Sequence, residues 1–515
     1  MSNNSMSTDA NTTPATPDQL LLRQKMLCFA YLAYNGEGLT TPDPEPAIKR
    51  LINAGLASIK SVDLTGWQIA WGPVTYTVPG SIYQDNLMYV LQQKDTSDYV
   101  IAIRGTNGIN ELDWFLEDFE VQNTVPWPLG GTQNSQQAGS AVTESMSIDM
   151  SILLTVMKDP TTQLTLTQYL NTVTKDAINV CVTGHSLGGA LTPTLALWLL
   201  ENTSAWDASA KSTVSCISFA GPTAGNAQFA AYSMNMFVSA MQNGSFPGWD
   251  TTLGSNCDTV VCNMDIAPLF YSYANIFDFS TAYAGPLFNV YPQINFADLG
   301  TPYSEEWGYF QEYILVPLAA ALYLQNYTAL QAPQGSNQQP LSGVFNNSYA
   351  PAGDALTDYL SAFEAQATWQ HSYSYPQLLG VTELQSGSSI INEDLPPFTL
   401  ASINPSYYNY DDSKAGYDEP APLEIQFMGT EFDSNATISI YPTGVNGVND
   451  IIVNSVSVNS SGTILTANLT MPVNFFNEPD EGAYFSYYIF SVVNPGELYS
   501  DTTTFYYYYS VIEDV

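Results

Sequence analysis

Three residues able to carry out acyl transfer stand far apart in this chain: Ser186 within Gly184-His185-Ser186-Leu187-Gly188, Asp265 after an apolar run, and His371. The five-residue segment follows the β-branched run Val180 to Thr183 and opens a helical stretch reaching about Leu200. A serine on such a strand-to-helix turn sits on strained backbone, and Gly184 and Gly188 fall where side chains would strike the neighbouring strand and helix. The helix start sets the Leu187 N–H and the positive end of the helix dipole beside the reacting oxygen. A serine hydroxyl is a poor nucleophile without a base. The chain has two histidines. His185 adjoins the serine and points elsewhere on the turn, which leaves His371 as the base by elimination.

The remaining parts follow from the elements around them. In the α/β-hydrolase order of nucleophile, acid and base, the acid lies between residues 186 and 371 at the end of a strand. Asp265 fits, because it follows Thr259-Val260-Val261-Cys262-Asn263-Met264 and precedes Ile266-Ala267-Pro268. Asp258 precedes the same run, at the wrong end of a parallel sheet, and Asp250, Asp278 and Asp298 lack the strand context. The other reading of Asp265 is a turn or cap aspartate. A second oxyanion donor is required. The run Ile101 to Arg104 ends in Gly105-Thr106, and Thr106 can supply both a backbone N–H and a hydroxyl. Arg104 is expected to pair with Asp118 or a neighbouring acid and hold this loop; the alternative is a plain surface charge.

Helical spacing is visible over Gln19 to Tyr34, Pro46 to Ala57 and Ala141 to Met157, and strand-like runs over Leu87 to Leu91, Asp98 to Arg104, Val180 to Thr183, Val214 to Phe219 and Thr259 to Met264. Strands alternating with helices predict an α/β fold with a mainly parallel central sheet. The character changes near residue 385. Residues 386–418 are rich in Ser, Pro, Asn, Asp and Tyr, and after them short β-type runs separated by turn residues continue to the end. That pattern predicts a C-terminal β-sandwich. The expected organisation is therefore a disordered stretch over 1–17, an α/β domain over 18–385, a linker over 386–400 and the sandwich over 401–515.

The chain of 515 residues carries 49 acidic and 11 basic side chains, a net charge of −38. Beyond Lys211 the one basic residue is Lys414, so no basic stripe exists to meet nucleic acid, and anionic membrane surfaces repel such a chain. The five cysteines show no CxxC spacing, so neither a disulfide framework nor a zinc site is expected. Residues 1–17 contain no apolar core of a signal peptide. The expectation is a cytosolic protein, a trimmed mature form or cargo of a signal-less export route, with the compartment left open. Ile314 to Leu324 is too short to span a bilayer and reads as a core or cap helix.

Five segments in order resemble the class 3 (fungal-type) lipases: Arg104-Gly105-Thr106 with Asp113-Trp114 and Asp118, Gly184 to Ala190 as GHSLGGA, Phe219-Ala220-Gly221-Pro222, Asn263 to Pro268, and Gln370-His371-Ser372 with Tyr375 and Leu378-Leu379. The resemblance covers roughly residues 18–385. It implies an α/β-hydrolase with Ser186, Asp265 and His371 as triad, Thr106 and Leu187 as oxyanion donors, no metal or organic cofactor, and a small-molecule or lipid ester as substrate, met at a transient neutral lipid interface. The interval from acid to histidine is 371 − 265 = 106 residues, longer than is common in that family. The insertion, within 266–340, reads as a cap over the site or as extra core packing. Phe427-Met428-Gly429-Thr430-Glu431-Phe432 makes the C-terminal part resemble an IPT/TIG or other immunoglobulin-like module, which implies a binding, spacing or stabilising role toward a protein or carbohydrate. The expected activity is hydrolysis of neutral acyl esters or acylglycerols. Phospholipase A1 or feruloyl-type esterase activity, a catalytically idle binding scaffold and a secreted toxin are the alternatives.

Overall fold

Val, Ile, Leu and Cys fill consecutive positions in the central strands of this chain, and such runs are stable only where both faces of a sheet are covered. The computed structural model describes residues 15–36, 44–77, 86–105, 123–129, 131–207, 209–278, 283–301, 303–330, 340–384, 399–404, 407–411, 421–430, 432, 434–442, 452–461, 463–471, 483–493 and 500–510. Six strands form one sheet in chain order: β1 (Trp67–Tyr76), β2 (Asn86–Gln93), β3 (Asp98–Ile103), β4 (Asn179–His185), β5 (Thr213–Phe219) and β6 (Cys257–Val260). The first three pair antiparallel, and β3 through β6 run parallel. This is the α/β-hydrolase architecture expected from the sequence.

Alternation along each strand divides two cores. Met88, Val90, Ile101, Ile103, Val180 and Val182 join one cluster with the helices α3 (Glu144–Ser151), α4 (Leu187–Glu201) and α5 (Ala227–Ala240). Leu87, Tyr89, Leu91, Val100, Ala102 and Cys181 join the other, beneath α1 (Pro17–Leu32) and α2 (Glu45–Ser58). A third cluster gathers Ile266 through Tyr327 and packs them on Leu356, Ala362, Phe363 and Ala367 of α6 (Leu356–Ser372). The segment Ile314 to Leu324 lies here, as a π-helical turn (Gln311–Leu315) followed by a helix (Val316–Tyr323). Among the described residues no helix is long and apolar enough to cross a membrane.

Helix α1 is tied to the edge strand by a buried ion pair. Arg23 Nε and Nη2 donate to the two carboxylate oxygens of Asp258 at 2.7 and 2.8 Å, and Gln19 Nε2 adds a third bond at 2.7 Å. Asp258 therefore serves the fold, anchoring α1 to the start of β6. Arg23→Ala strands this carboxylate without its guanidinium and is expected to lower stability by about 3–5 kcal/mol, read as a shift in the urea midpoint. Arg23→Ala with Asp258→Leu should recover much of that loss.

Three elements differ from the sequence expectation. The stretch 141–157 begins as a strand, Ala141–Thr143 paired with Thr124–Pro126, and the Thr143 side chain then caps α3 by accepting from Met146 N. It ends in a π turn, Ile152–Val156. The run 259–264 leaves the sheet after Val260, because its neighbour β5 ends at Phe219 and Ala220 turns away with φ of 54°. Val261 and Asn263 bond to Leu341 instead, at 2.7 and 3.0 Å. Finally, His371 stands in the last turn of a helix, Leu356–Ser372, over a stretch to which the sequence reading assigns no element.

The C-terminal strands form two four-stranded sheets. One is ordered β7 (Thr399–Asn404), β9 (Ala421–Thr430), β12 (Ile464–Met471), β11 (Ile452–Val458), and the other β8 (Tyr407–Asp411), β14 (Ser500–Ser510), β13 (Ala483–Val493), β10 (Thr437–Pro442). All neighbours are antiparallel except β8 and β14. β7 lies against β14, and β10 against β11. Ile425 and Phe427 bury with Leu465, Ala467 and Leu469 on one sheet, as Ile438 does with its partner Val492 on the other. This is the β-sandwich that the alternating pattern predicts.

Candidate active site

The parallel ladders bring the carboxyl ends of the strands side by side. Ile103 lies opposite Gly184, His185 opposite Phe219, and Phe219 opposite Val260. The residues that follow these strands share one edge of the sheet, the usual location of a site in an open α/β fold. Ser186 follows β4 there with φ 59° and ψ −130°, a conformation that costs an L-residue of order 1–3 kcal/mol. Its N–H donates to Phe219 O at 3.1 Å, and its own carbonyl accepts from Ala190 N at 3.1 Å, so the turn is held on both sides.

Close backbone approach explains two glycines. A Cβ on Gly188 would strike Ile103 O and lie 2.8 Å from Arg104 C. A Cβ on Gly105 would strike the Tyr34 hydroxyl and lie 2.9 Å from Ser186 Cβ. The end of β3 therefore presses directly on the serine. Thr106, the next residue, lies outside the described residues, as do Asp113, Trp114 and Asp118. Arg104 is 1% exposed and so is not a surface charge. Leu187 is the first residue of α4, and its N–H belongs to the opening turn, whose donors no helical carbonyl reaches.

Ser186, Asp265 and His371 are all buried. His371 Nδ1 lies 3.0 Å from Asp265 Oδ2 and 3.1 Å from Oδ1. A carboxylate only accepts, so the proton of a neutral His371 sits on Nδ1, and the lone pair is on Nε2. Asp265 is itself fixed: Oδ2 accepts from the Tyr375 hydroxyl at 2.8 Å, and Oδ1 from Ala267 N at 3.0 Å. The Tyr375 oxygen in turn accepts from Cys262 N at 3.0 Å. Ser186 Oγ makes no hydrogen bond to a protein group among the described residues.

His185 joins the two halves of the site. Its Nε2 meets the His371 carbonyl at 2.9 Å, and the rings lie 4.5 Å apart between centroids. The carbonyl accepts, so Nε2 carries the proton, and Nδ1 is left to accept from the Tyr34 hydroxyl at 2.9 Å. Tyr31, on the same helix end, donates to Ser372 O at 2.9 Å. The structure thus brings His371 to the residue next to Ser186 and into contact with Asp265. Sequence reasoning missed Tyr31 and Tyr34 as supports of the site. Their spacing of three on an apolar helix reads as core.

Burial, with the neighbouring His371 ring second, holds the His185 imidazole well below its ordinary 6.5. The folded state therefore refuses a proton that the unfolded chain accepts. Stability is fully present above 6.5 and falls as pH drops below it, by up to about 1.4 kcal/mol per pH unit. Urea midpoints of wild type and His185→Asn measured from pH 7 to pH 5 should diverge, with the wild type losing more.

Residues 100–270 match a family model described as Lipase (class 3). A crystal structure of M37 lipase is similar to this chain, with 28% identity and a TM-score of 0.51 over 72% of this chain and 95% of that one. A structure of Lip2 lipase from Yarrowia lipolytica aligns with 15% identity and a TM-score of 0.30 over 51% of this chain and 77% of that one. No curated protein sequence matches. The matched segment runs from within β3, through the turn that bears Ser186, to just past Asp265.

Proposed function

We propose that the protein is a serine carboxyl-ester hydrolase that works through an acyl-enzyme. The observation that carries this reading is the Asp265–His371 contact at 3.0 Å, set against the turn that bears a strained, buried Ser186. His371 Nε2 takes the Ser186 proton as Oγ bonds to the ester carbonyl carbon. Asp265 keeps the imidazole in the useful tautomer and stabilises the imidazolium. The N–H groups of Leu187 and Thr106 receive the oxyanion. Collapse breaks the carbon–oxygen bond to the alcohol, which leaves with the proton from His371. Water, deprotonated by His371, then cleaves the acyl-enzyme and frees the acid.

The substrate class follows from charge. With 11 basic side chains against 49 acidic ones, the protein is poorly equipped to hold a phosphate, and its field helps to expel an anionic carboxylate product. Neutral acyl esters and acylglycerols fit best, met at a neutral lipid interface. The M37 lipase likeness and the class 3 match support a lipase or esterase. We read residues 266–340 as a cap on an α/β domain spanning 18–385, and residues 401–515 as an IPT/TIG-like module with a binding or spacing role toward a protein or carbohydrate. The chemistry requires no metal or organic cofactor. Wild type assayed on p-nitrophenyl esters, triolein, phosphatidylcholine and a feruloyl ester should turn over the first two fastest. Preference for phosphatidylcholine or the feruloyl ester would redirect the assignment to a phospholipase or a feruloyl esterase. No turnover of any, with no covalent labelling, would leave a binding scaffold.

A further inference from the structure

The acid and the base stand at the two roots of the long insertion. Asp265 immediately precedes the residues of the third hydrophobic cluster, and His371 stands in the last turn of the helix on which that cluster packs. One residue deep in the insertion reaches both roots. Tyr291 is fully buried, and its hydroxyl donates to the carbonyl of Met264, the residue before Asp265, at 2.9 Å. Its ring packs edge-on against Phe363 of α6, with centroids 5.2 Å apart. Phe363 lies about two turns before His371 on the same helix.

The Met264 carbonyl belongs to the peptide plane that leads into Asp265. Fixing that plane fixes the direction from which the carboxylate leaves the backbone. Burial first, then the charge of Asp265, push the Tyr291 phenol well above its ordinary range, so it remains a neutral O–H donor. The neighbouring clamp is built from the other root. Gln370, fully buried and adjacent to His371, donates through Nε2 to Val344 O at 2.8 Å and contacts Met264 Sδ at 3.8 Å.

We infer that Tyr291 is a positioning residue, through which the insertion sets the Asp265–His371 geometry. This rests on the acyl-transfer reading of Ser186. The insertion is thereby part of the acid–base apparatus, whatever else it covers. Removing the hydroxyl releases the Met264 plane and misaims the carboxylate, and small misplacements of a catalytic group carry large rate penalties.

The test compares wild type, Ser186→Ala, Tyr291→Phe and Leu287→Val. Leu287 belongs to the same cluster but makes no polar contact with the 264–265 backbone, so its variant loosens the packing alone. The readouts are the rate of fluorophosphonate labelling, kcat and KM on a p-nitrophenyl ester, and the thermal midpoint. Tyr291→Phe keeps the ring and its packing, and is expected to slow labelling and lower kcat about tenfold with KM unchanged. Leu287→Val is expected to label at the wild-type rate even with a lower midpoint. Equal labelling of Tyr291→Phe and wild type would overturn the positioning role while leaving the acyl-transfer reading intact, and so would equal slowing in Leu287→Val. Failure of the wild type to label at Ser186 would overturn both.

Discussion

Asp265→Asn is expected to lower kcat by about 10⁴-fold with little change in KM. Both oxygens of Asp265 accept: Tyr375 and His371 Nδ1 meet Oδ2, and Ala267 N and the same Nδ1 meet Oδ1. An amide supplies one acceptor oxygen and one NH₂ group with two donors. The Ala267 N–H can only donate, so it keeps the amide oxygen at the Oδ1 position. The amide NH₂ then takes the Oδ2 position, where Tyr375 can turn to accept from it. That NH₂ also faces His371 Nδ1 and donates to it, which moves the imidazole proton to Nε2. The base then points a proton, not a lone pair, toward the serine. The packing is nearly unchanged, so the thermal midpoint should move little while the rate collapses. A loss of under tenfold would mean that Asp265 is the turn aspartate its sequence position also allows.

Ser186→Ala is expected to lower kcat by roughly 10⁶-fold, the scale on which removing a triad serine acts. His371→Ala should cost a similar factor, and the double variant little more than either alone, since the two side chains act as one unit. Ser186 occupies strained backbone, and its hydroxyl makes no hydrogen bond to a protein group among the described residues. Alanine removes no such bond there, so the loss is one of chemistry and not of folding. Substrate binding should survive in Ser186→Ala and allow a stable ester complex to form.

The parts of this site that lie close together in the chain were legible in the sequence. Gly184, Ser186 and Gly188 announce their turn because contacts within a few residues of the serine and with the end of β3 decide it. His371 could be singled out because the chain offers two histidines and one adjoins the serine. Its helix could not, because the buried stripe of α6 includes Gln366 and Gln370, which break the apolar period that marks a helix. Gln370 is held in the interior by its bond to the Val344 carbonyl, a contact 26 residues distant in the chain, and Gln366 Oε1 accepts from Asn346 N, 20 residues distant. Tyr375 meets Asp265 across 110 residues, and Tyr34 meets His185 across 151. No local pattern encodes such pairs, so Tyr34 looked like one more core aromatic. The sandwich was legible for the opposite reason. Leu465, Ala467 and Leu469 alternate with polar residues, and that period of two fixes both the strand and its buried face.

The central claim is that one serine hydroxyl is activated by the Asp265–His371 pair. A fluorophosphonate reports this without knowledge of the substrate, because it bonds to an activated serine and releases fluoride. Cleavage after Lys175 and Lys211 yields the peptide 176–211, which contains Ser186, Ser204 and Ser209. Mass spectrometry of the labelled wild type should find one adduct, on Ser186, and neither Ser186→Ala nor His371→Ala should carry it. An adduct on another residue, or none at all on folded wild-type protein, would contradict the account.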